Sequence, residues 1–258
     1  QGGDLQAAVR AGLRADGLGM LISISRAISR ATDPGRAAAE FREAIQVAAS
    51  HGPRLGLEEH AWFLGDALLD AGCVKFGQFR LKSGLLSPIY LDLRLLVSHP
   101  ALLAQVADAY LPVLEGLTFD RLAGLPYAAL PIATAISLRG GWPMIYPRKE
   151  TKAYGTKAEI EGAFTPGERA VVIDDLTTTG ESKLEAIEKL TASGLVVNDV
   201  VVLIDRQSGA AEALARLGIR LHAVLTLSQL LDYWQNHPRI PREQIEATLA
   251  FLRTKMDR

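Results

Sequence analysis

The sequence has one cysteine, no long apolar run and almost no net charge, and each of these absences excludes a class of protein. With Cys73 alone, the chain cannot build an intramolecular disulfide framework, which favours a reducing compartment such as the cytoplasm. No apolar run reaches the roughly 18 residues that a membrane-spanning helix needs. A net charge of −1 provides no general basic surface for nucleic acid. No His/Cys cluster has the spacing of a metal site.

Apolar residues are plentiful, at 48% of 258 residues, which is ample for one large domain or two small ones. The segment His51-Gly-Pro-Arg-Leu-Gly56 combines two glycines and a proline, and it predicts a boundary between domains at 1–51 and 52–258. No signal peptide is evident and the first residue is Gln1 rather than Met, so we expect the chain to be a piece of a longer one.

Apolar periodicity predicts alternating helices and strands, an arrangement typical of an α/β fold with a parallel sheet. Before the boundary we expect a helix at 4–15, a strand at 20–24 and a helix from Asp33-Pro34 to Ala49. After it, the predicted strands are Val74 to Phe79, Ser87 to Arg94, Arg121 to Leu125, Pro143 to Tyr146, Val171 to Ile173, Val200 to Ile204 and Ile219 to Leu225. The predicted helices include Leu57 to Ala71, Pro100 to Glu115, Lys183 to Leu190 and Pro241 to Thr254.

The most informative stretch is 171–182, where a buried strand is followed by two carboxylates and a hydroxyl-rich turn that opens a helix. A helix N-terminus binds anions through its free N–H groups, and Gly180 allows the backbone to approach a phosphate. Asp174 and Asp175 are acceptors suited to a pair of ribose hydroxyls. The pattern therefore predicts a site for ribose 5-phosphate. A plain strand-turn-helix with Asp or Thr as the N-cap is the alternative.

Three further segments carry polar groups in suggestive places. Lys82 lies in a Lys-Ser-Gly turn before a strand that presents Tyr90, although for the turn by itself a solvated hairpin lysine is the more ordinary explanation. Residues 148–157 are rich in Lys and Arg and contain Gly155, which describes either a solvated charge run or a loop that closes over a polyanion. Arg206 follows a buried strand, where it can bind a carboxylate in a bidentate pair or simply pair with Asp205 at the surface.

These segments together resemble the type I phosphoribosyltransferases, which bind phosphoribosyl pyrophosphate (PRPP). The resemblance covers roughly residues 57–236 and narrows to orotate phosphoribosyltransferase, in the form fused to orotidine 5′-phosphate decarboxylase in UMP synthases. It implies an α/β type I phosphoribosyltransferase fold, with a parallel sheet flanked by helices and a small N-terminal hood. It also implies transfer of the phosphoribosyl group from PRPP to orotate in UMP biosynthesis.

The resemblance assigns roles to individual residues. The PRPP-binding set it implies is Lys82, Arg148, Lys149, Lys152, Tyr154, Asp174, Asp175, Thr177, Thr178, Thr179, Gly180 and Ser182. The orotate-binding set is Tyr90, Thr178 and Arg206, and the catalytic set is Lys152, Arg148 and Lys149. Two positions depart from the family pattern: Ala128 stands where many bacterial members have lysine, and Tyr154 stands where many have histidine.

A cofactor and a partner also follow from the resemblance. Mg²⁺ is expected to be held by PRPP and water near Asp174 and Asp175, with no direct protein ligand. The chain is expected to form a homodimer in which the loop at 148–162 is shared across subunits. We expect no nucleic-acid or membrane partner.

Residues 1–51 resemble the C-terminal end of orotidine 5′-phosphate decarboxylase, a (β/α)8 barrel, and so predict a barrel remnant. The resemblance implies that Gln1 and Arg26 belong to that enzyme's phosphate site; a surface salt bridge is the alternative for Arg26. The decarboxylase's catalytic Asp-x-Lys-x-x-Asp pattern does not occur in the sequence, so we expect no decarboxylation by this chain.

Two other functions remain open at this level. A regulator on the same fold could sense PRPP or a nucleotide, but it would need only the phosphate site and not the cations at 82, 148, 149, 152 and 206 together. A purine-specific transferase would not require Arg206, because a purine base has no carboxylate.

Overall fold

The chain divides into two compact units, Gln1–Gly56 and Leu57–Arg258. The computed structural model describes residues 28–50, 57–80, 84–149, 159–178 and 180–256. In the first unit, helix α1 spans Pro34–Ser50. Asp33 caps it as predicted, because its Oδ1 accepts a hydrogen bond from the N–H of Arg36 at 3.0 Å. The predicted elements at 4–15 and 20–24 and the boundary segment at 51–56 lie outside the described residues.

In the second unit, helices and strands alternate along the chain. The strands are β1 (Val74–Arg80), β2 (Leu86–Leu91), β3 (Arg121–Gly124), β4 (Met144–Pro147), β5 (Ile160–Glu161), β6 (Arg169–Thr177), β7 (Val196–Asp205) and β8 (Arg220–Thr226). The helices are α2 (Leu57–Asp70), α3 (Pro100–Glu115), α4 (Ala129–Gly140), α5 (Glu181–Ala192), α6 (Ala210–Ala215), α7 (Leu227–Asn236) and α8 (Arg242–Met256), with a 3-10 helix at Leu93–Ser98.

Six of these strands form the central sheet, in the order β5-β4-β3-β6-β7-β8. The strands from β4 to β8 in this order are parallel, and β5 alone runs antiparallel, against β4. The β1–β2 hairpin is a separate antiparallel sheet and forms the hood. The predicted α/β fold with a parallel sheet and a small N-terminal hood is confirmed.

Both faces of the sheet are covered by helices, as the side chains of β6 show. Val171 and Ile173 point into a core built with α2, α3, α4 and α7. Val172, on the opposite face, packs into a second core with Ile187 and Leu190 of α5. Since successive side chains of a strand point to opposite faces, these residues place apolar layers on both sides of one buried strand.

The structure corrects three element boundaries. β6 continues to Thr177, so Asp174 and Asp175 lie within the strand and not beyond its end. The reason is tertiary: β7 runs alongside and pairs with β6 as far as Thr177 and Asp205. Helix α5 begins at Glu181, two residues before the predicted start. β2 ends at Leu91, and the chain turns there into the 3-10 helix.

Within the described part of the chain, no helix combines the length and apolar character needed to cross a bilayer.

Candidate active site

A cleft of about 550 Å³ opens at the carboxyl ends of β3 and β6, beneath the hood. This is the edge at which parallel α/β sheets bind ligands. Its lining comprises Tyr90, Leu91, Asp92, Leu93, Arg94, Pro126, Tyr127, Ala128, Lys149, Asp174, Asp175, Leu176, Thr178, Gly180 and Lys183. The structure therefore brings together six of the predicted site residues, Tyr90, Lys149, Asp174, Asp175, Thr178 and Gly180, and they come from three separate segments of the sequence.

The turn between β6 and α5 forms the floor of the cleft. Gly180 adopts φ +87°, a left-handed conformation that disfavours side chains, and it serves as the N-cap of α5. Its carbonyl oxygen accepts hydrogen bonds from the N–H of Lys183 at 2.9 Å and of Leu184 at 3.2 Å. A glycine cap offers no side chain to the first turn, so the helix end presents its partial positive charge to the cleft.

The two carboxylates at the end of β6 have different surroundings. The Asp174 carboxylate is buried and accepts a hydrogen bond from Lys183 Nζ at 2.7 Å and another from the Asp175 N–H at 2.9 Å. Burial raises the pKa of Asp175 to about 7, and the neighbouring Asp174 charge adds to the increase. Tyr110 of α3 fixes the backbone from the opposite side, since its hydroxyl donates to the Asp174 carbonyl at 2.7 Å.

The end of β4 supplies the described cations of the predicted loop. Lys149 lines the cleft, and its Nζ lies 5.0 Å from the ring centroid of Tyr127, a cation–π distance. The Arg148 guanidinium instead forms an ion pair with Glu161 of β5, and the backbone N–H of Arg148 donates to the Glu159 carbonyl at 2.8 Å. Arg148 is thus held at the base of the loop, outside the cleft lining.

Arg206 and Thr177 lie side by side at the ends of β7 and β6. The Arg206 N–H donates to the Thr177 carbonyl at 3.2 Å. The Arg206 Nε and the Thr177 hydroxyl are both buried without a hydrogen-bond partner. Burial alone lowers the pKa of Arg206, because no carboxylate of the described residues offsets it. The predicted alternative, a surface pair with Asp205, is therefore wrong: Asp205 accepts from the Gln207 N–H instead.

The hood contributes an aromatic wall. Tyr90 lines the cleft and stacks on Phe79 with ring centroids 5.4 Å apart. Its hydroxyl accepts a long hydrogen bond, 3.4 Å, from Arg94, which also makes a bidentate pair with Asp92 at 2.6 and 2.8 Å. The hood is thereby a rigid surface with one polar face.

Several predicted site residues fall outside the description. Lys82, Lys152, Tyr154, Thr179, Gln1 and Arg26 lie outside the described residues, as does the side chain of Ser182. Their roles stay predictions from the sequence.

Sequence reasoning missed Lys183, although it is among the largest fully buried side chains and lines the cleft. A signal was present. Lys183 is in helical register with Ile187 and Leu190, so it occupies the apolar face of α5, where a lysine is unexpected. Tyr127 was also missed as a partner for Lys149, since contacts between two loops have no sequence period.

The carboxylates of Asp174 and Asp175 suit a metal ion that is coordinated mainly by a bound phosphate compound and water. Asp174 is already engaged by Lys183, so Asp175 is the carboxylate more free to meet a hydrated cation. No group of three or more His, Cys, Asp or Glu residues within the described ranges could hold a metal ion. This donor set fits a Mg²⁺ carried by phosphate oxygens and water and does not fit a protein cage.

Comparisons with known proteins give the same fold and place it in a family. No family model matches the chain. It is 38% identical over 263 residues to the bifunctional enzyme PyrF/PyrE of a Nostoc species, covering 97% of this chain and 55% of that one. It is 43% identical over 186 residues to the orotate phosphoribosyltransferase of Pyrobaculum aerophilum, covering 72% of this chain and 95% of the relative.

A solved structure agrees with these relatives. UMP synthase of Leishmania donovani superposes with a TM-score of 0.70 and 50% identity, over 98% of this chain and 54% of that one. The chain thus spans about half the length of the two-domain proteins it matches. The Pyrobaculum enzyme, in contrast, is covered almost end to end. The chain belongs to the orotate phosphoribosyltransferase family.

Proposed function

We propose that this chain transfers the phosphoribosyl group from PRPP to orotate, giving orotidine 5′-phosphate and pyrophosphate in UMP biosynthesis. The observation that carries the proposal is the convergence in one cleft of the α5 N-terminus, Asp175, Lys149 and Tyr90. A phosphate site, a ribose-hydroxyl acceptor, a cation and an aromatic wall are the groups that PRPP and a flat base require together.

In the proposed reaction, an orotate ring nitrogen forms a bond to C1 of the ribose while the bond from C1 to pyrophosphate oxygen breaks. The ring nitrogen can already be anionic, so strong base catalysis is not required. The electron pair of the broken bond leaves on pyrophosphate, where negative charge accumulates. Prearranged cations stabilise such developing charge, and one well-placed donor is worth about 3–4 kcal/mol.

Lys149 is the described cation best placed for this role, because it lines the cleft and Tyr127 holds it there. We assign pyrophosphate binding to Lys149 with Arg148, and protonation or charge stabilisation of the leaving group to Lys152. Arg148 would have to exchange its Glu161 partner for a phosphate oxygen to act directly. Its alternative contribution is to fix the base of the loop.

Mg²⁺, when bound with PRPP, would neutralise charge on the departing pyrophosphate. Asp175, with Asp174 behind it, would meet the hydrated ion and the ribose diol from the protein side. We expect removal of Mg²⁺ to abolish turnover.

Orotate is expected to lie between the hood and the ends of β6 and β7. Thr178 lines the cleft, and Arg206 lies on the neighbouring strand end with a buried guanidinium that no described carboxylate pairs. A charge buried in this way is costly unless a ligand carboxylate satisfies it. This supports Arg206 as the group that selects orotate over bases without a carboxylate.

The remaining parts of the proposal rest on the family resemblance. Residues 1–51 are the end of an orotidine 5′-phosphate decarboxylase barrel, with Gln1 and Arg26 from its phosphate site. The chain forms a homodimer that shares the loop at 148–162, and it works in the cytoplasm.

The test is to mix the protein with orotate, PRPP and Mg²⁺ and follow the loss of orotate absorbance and the release of pyrophosphate. Adenine, hypoxanthine and uracil serve as parallel base controls. Consumption of orotate alone, dependent on Mg²⁺ and matched by pyrophosphate, is expected. PRPP-dependent thermal stabilisation without turnover would contradict the transferase and favour a PRPP sensor.

A paired variant test addresses the loop. Lys152→Ala is expected to lower kcat by about 10²-fold or more, the size typical for removal of one charge-stabilising donor. Lys157→Ala, in the same segment but outside the predicted catalytic set of Arg148, Lys149 and Lys152, is the matched control. Full turnover of Lys152→Ala under saturating substrates would remove Lys152 from the proposed mechanism.

A further inference from the structure

Lys183 is a buried cation in a place where helices rarely put one. It lies in the first turn of α5 with 2% of its side chain exposed. A positive charge near a helix N-terminus is opposed by the helix dipole, and burial of an ammonium adds a desolvation cost. Contacts of the ammonium group must therefore offset both the helix dipole and the desolvation cost.

Two contacts do so. Lys183 Nζ donates to Asp174 Oδ2 at 2.7 Å and to the Leu176 carbonyl at 2.9 Å. Both acceptors belong to β6, whereas Lys183 belongs to α5. One ammonium group therefore ties together the two ends of the turn at 177–182, which is the predicted phosphate-binding turn.

Asp174 is consequently fixed at both its side chain and its backbone. Lys183 holds the carboxylate, and the Tyr110 hydroxyl donates to the carbonyl at 2.7 Å. Lys183 also lines the cleft beside Asp175 and Gly180. A buried ion pair adds little net stability compared with an apolar pair of the same volume, so stability alone does not account for it.

We propose that Lys183 is a positioning residue for PRPP: it holds the Asp174 carboxylate in place beside Asp175, and it sets the span of the turn that receives the ribose 5-phosphate. This inference rests on the proposed function and adds to it a residue that never has to touch the reacting atoms. Its effect is transmitted through Asp174.

The experiment is a double-mutant cycle with Lys183→Met, Asp174→Asn and the two combined, and Lys75→Met on the exposed edge of the hood as a control. Melting temperature and the KM values for PRPP and orotate are measured for each. Each single variant is expected to raise KM for PRPP about tenfold or more, as for the loss of one hydrogen bond to a charged group. KM for orotate is expected to change less than about twofold, because the base site does not include Lys183.

The combined variant separates positioning from stability. It removes both charges of the Lys183–Asp174 pair together, so neither is left without its partner and the melting temperature is expected to return toward that of the parent protein. Its KM for PRPP is expected to stay raised and to be no worse than the worse single variant, since both residues act as one unit. If both the melting temperature and the KM for PRPP recovered, the pair would be purely structural. If the KM effects of the two single variants multiplied, Lys183 would act independently of Asp174. Either result overturns the proposal.

Lys183→Gln covers the case in which the combined variant does not fold. A raised KM for PRPP with an unchanged KM for orotate supports the proposal, and two unchanged values contradict it. An unmodified chain that neither binds nor consumes PRPP would instead refute the proposed function, so the two failures are distinguishable.

Discussion

Two charged side chains, Asp175 of the cleft lining and Arg206 just after β7, are half-buried with fewer partners than their charge requires. Asp175 is opposed by Asp174 and only partly offset by Lys183. Arg206 has a buried Nε without a partner. Groups of this kind reduce the stability of the folded chain, and they persist at sites where a ligand satisfies them.

Asp175→Asn is expected to stabilise the protein above neutral pH. The pKa of Asp175 in the folded chain, about 7, lies above the ordinary value of 3.8. At a pH between these two values, Asp175 is protonated in the folded chain and has lost its proton in the unfolded chain. Stability contributed by this group therefore falls as pH rises from about 4 to 7. The variant avoids that loss, and at pH 8 we expect it to be more stable than the parent protein by a few kcal/mol, with a correspondingly higher Tm.

Thermal melts of both proteins between pH 5 and 8 check this. The difference in Tm between the two proteins should shrink as the pH falls, because protonated aspartic acid and asparagine are both neutral. A constant difference across the range would contradict it. Activity of the variant should fall even as its stability rises.

Arg206→Leu is expected to lose orotate binding without losing the fold. The leucine removes a buried cation that has no described carboxylate partner, so Tm should stay equal or rise. KM for orotate should rise by about tenfold or more, the cost of a charge-assisted bond. Arg216→Leu, an exposed arginine at the end of α6, is the control. A large drop in Tm for Arg206→Leu would assign the guanidinium a structural role instead.

The sequence predicted the identities of these residues but not their states. Hydroxyls, carboxylates and Gly180 in one stretch indicated a phosphate site, and the cleft contains them. That Asp174 has a direct cationic partner whereas Asp175 does not depends on Lys183, nine residues after Asp174, folding back from α5. Ion pairing across a turn depends on side-chain direction, which sequence spacing alone does not give.

At the scale of elements, the position of the cleft depends on how closely α4 approaches β3. Gly124 ends β3, and a Cβ added there would lie 2.9 Å from Ala133 Cβ and 3.0 Å from Met144 Cε. The absent side chain lets the helix rest directly on the strand. The loop at 126–128, part of the cleft lining, connects these two elements.

Gly124→Ala is expected to destabilise the protein by about 1–3 kcal/mol, because the methyl group overpacks this contact. It should also raise KM for PRPP, since a shift of α4 moves the loop at 126–128. Denaturant unfolding and steady-state kinetics check the two effects. The control is Ala135→Gly, which changes one methyl group on the same helix, α4. Gly209→Ala is unsuitable as a control, because Gly209 has φ +92°. If Gly124→Ala were as stable as the parent protein, α4 would be able to move away from β3 freely.

The elements themselves were largely predictable. α3 has the predicted bounds, Pro100–Glu115, and the helix at Leu57 ends within one residue of its predicted end. Gly72 follows it with φ +69°, and the N–H of Cys73 donates to the Leu68 carbonyl at 2.9 Å, the C-terminal motif that the glycine indicated. The predicted bounds are wrong at β6, β2 and α5. Pairing with β7 extends β6, and the turn into the 3-10 helix ends β2. The local sequence gives no signal for these boundaries.

At the scale of the whole molecule, the chain spans about half the length of its two-domain relatives. Incubation with orotate, PRPP and Mg²⁺ is expected to accumulate orotidine 5′-phosphate without UMP or CO₂, because the sequence contains no Asp-x-Lys-x-x-Asp pattern. Chromatographic separation of the nucleotides checks this, with added orotidine 5′-phosphate as a second substrate. Appearance of UMP from either substrate would contradict it.

The sequence by itself determined the alternation of helices and strands, the apolar faces and the residue types of the predicted phosphate site, because these follow from local period and side-chain chemistry. Only the tertiary structure decided which groups meet. It paired Lys183 with Asp174, set Lys149 on Tyr127, held Arg148 against Glu161 and left Arg206 buried and unmatched. Each of these outcomes depends on segments distant in sequence being brought within a few ångströms, and at that range burial and charge decide what each group can do.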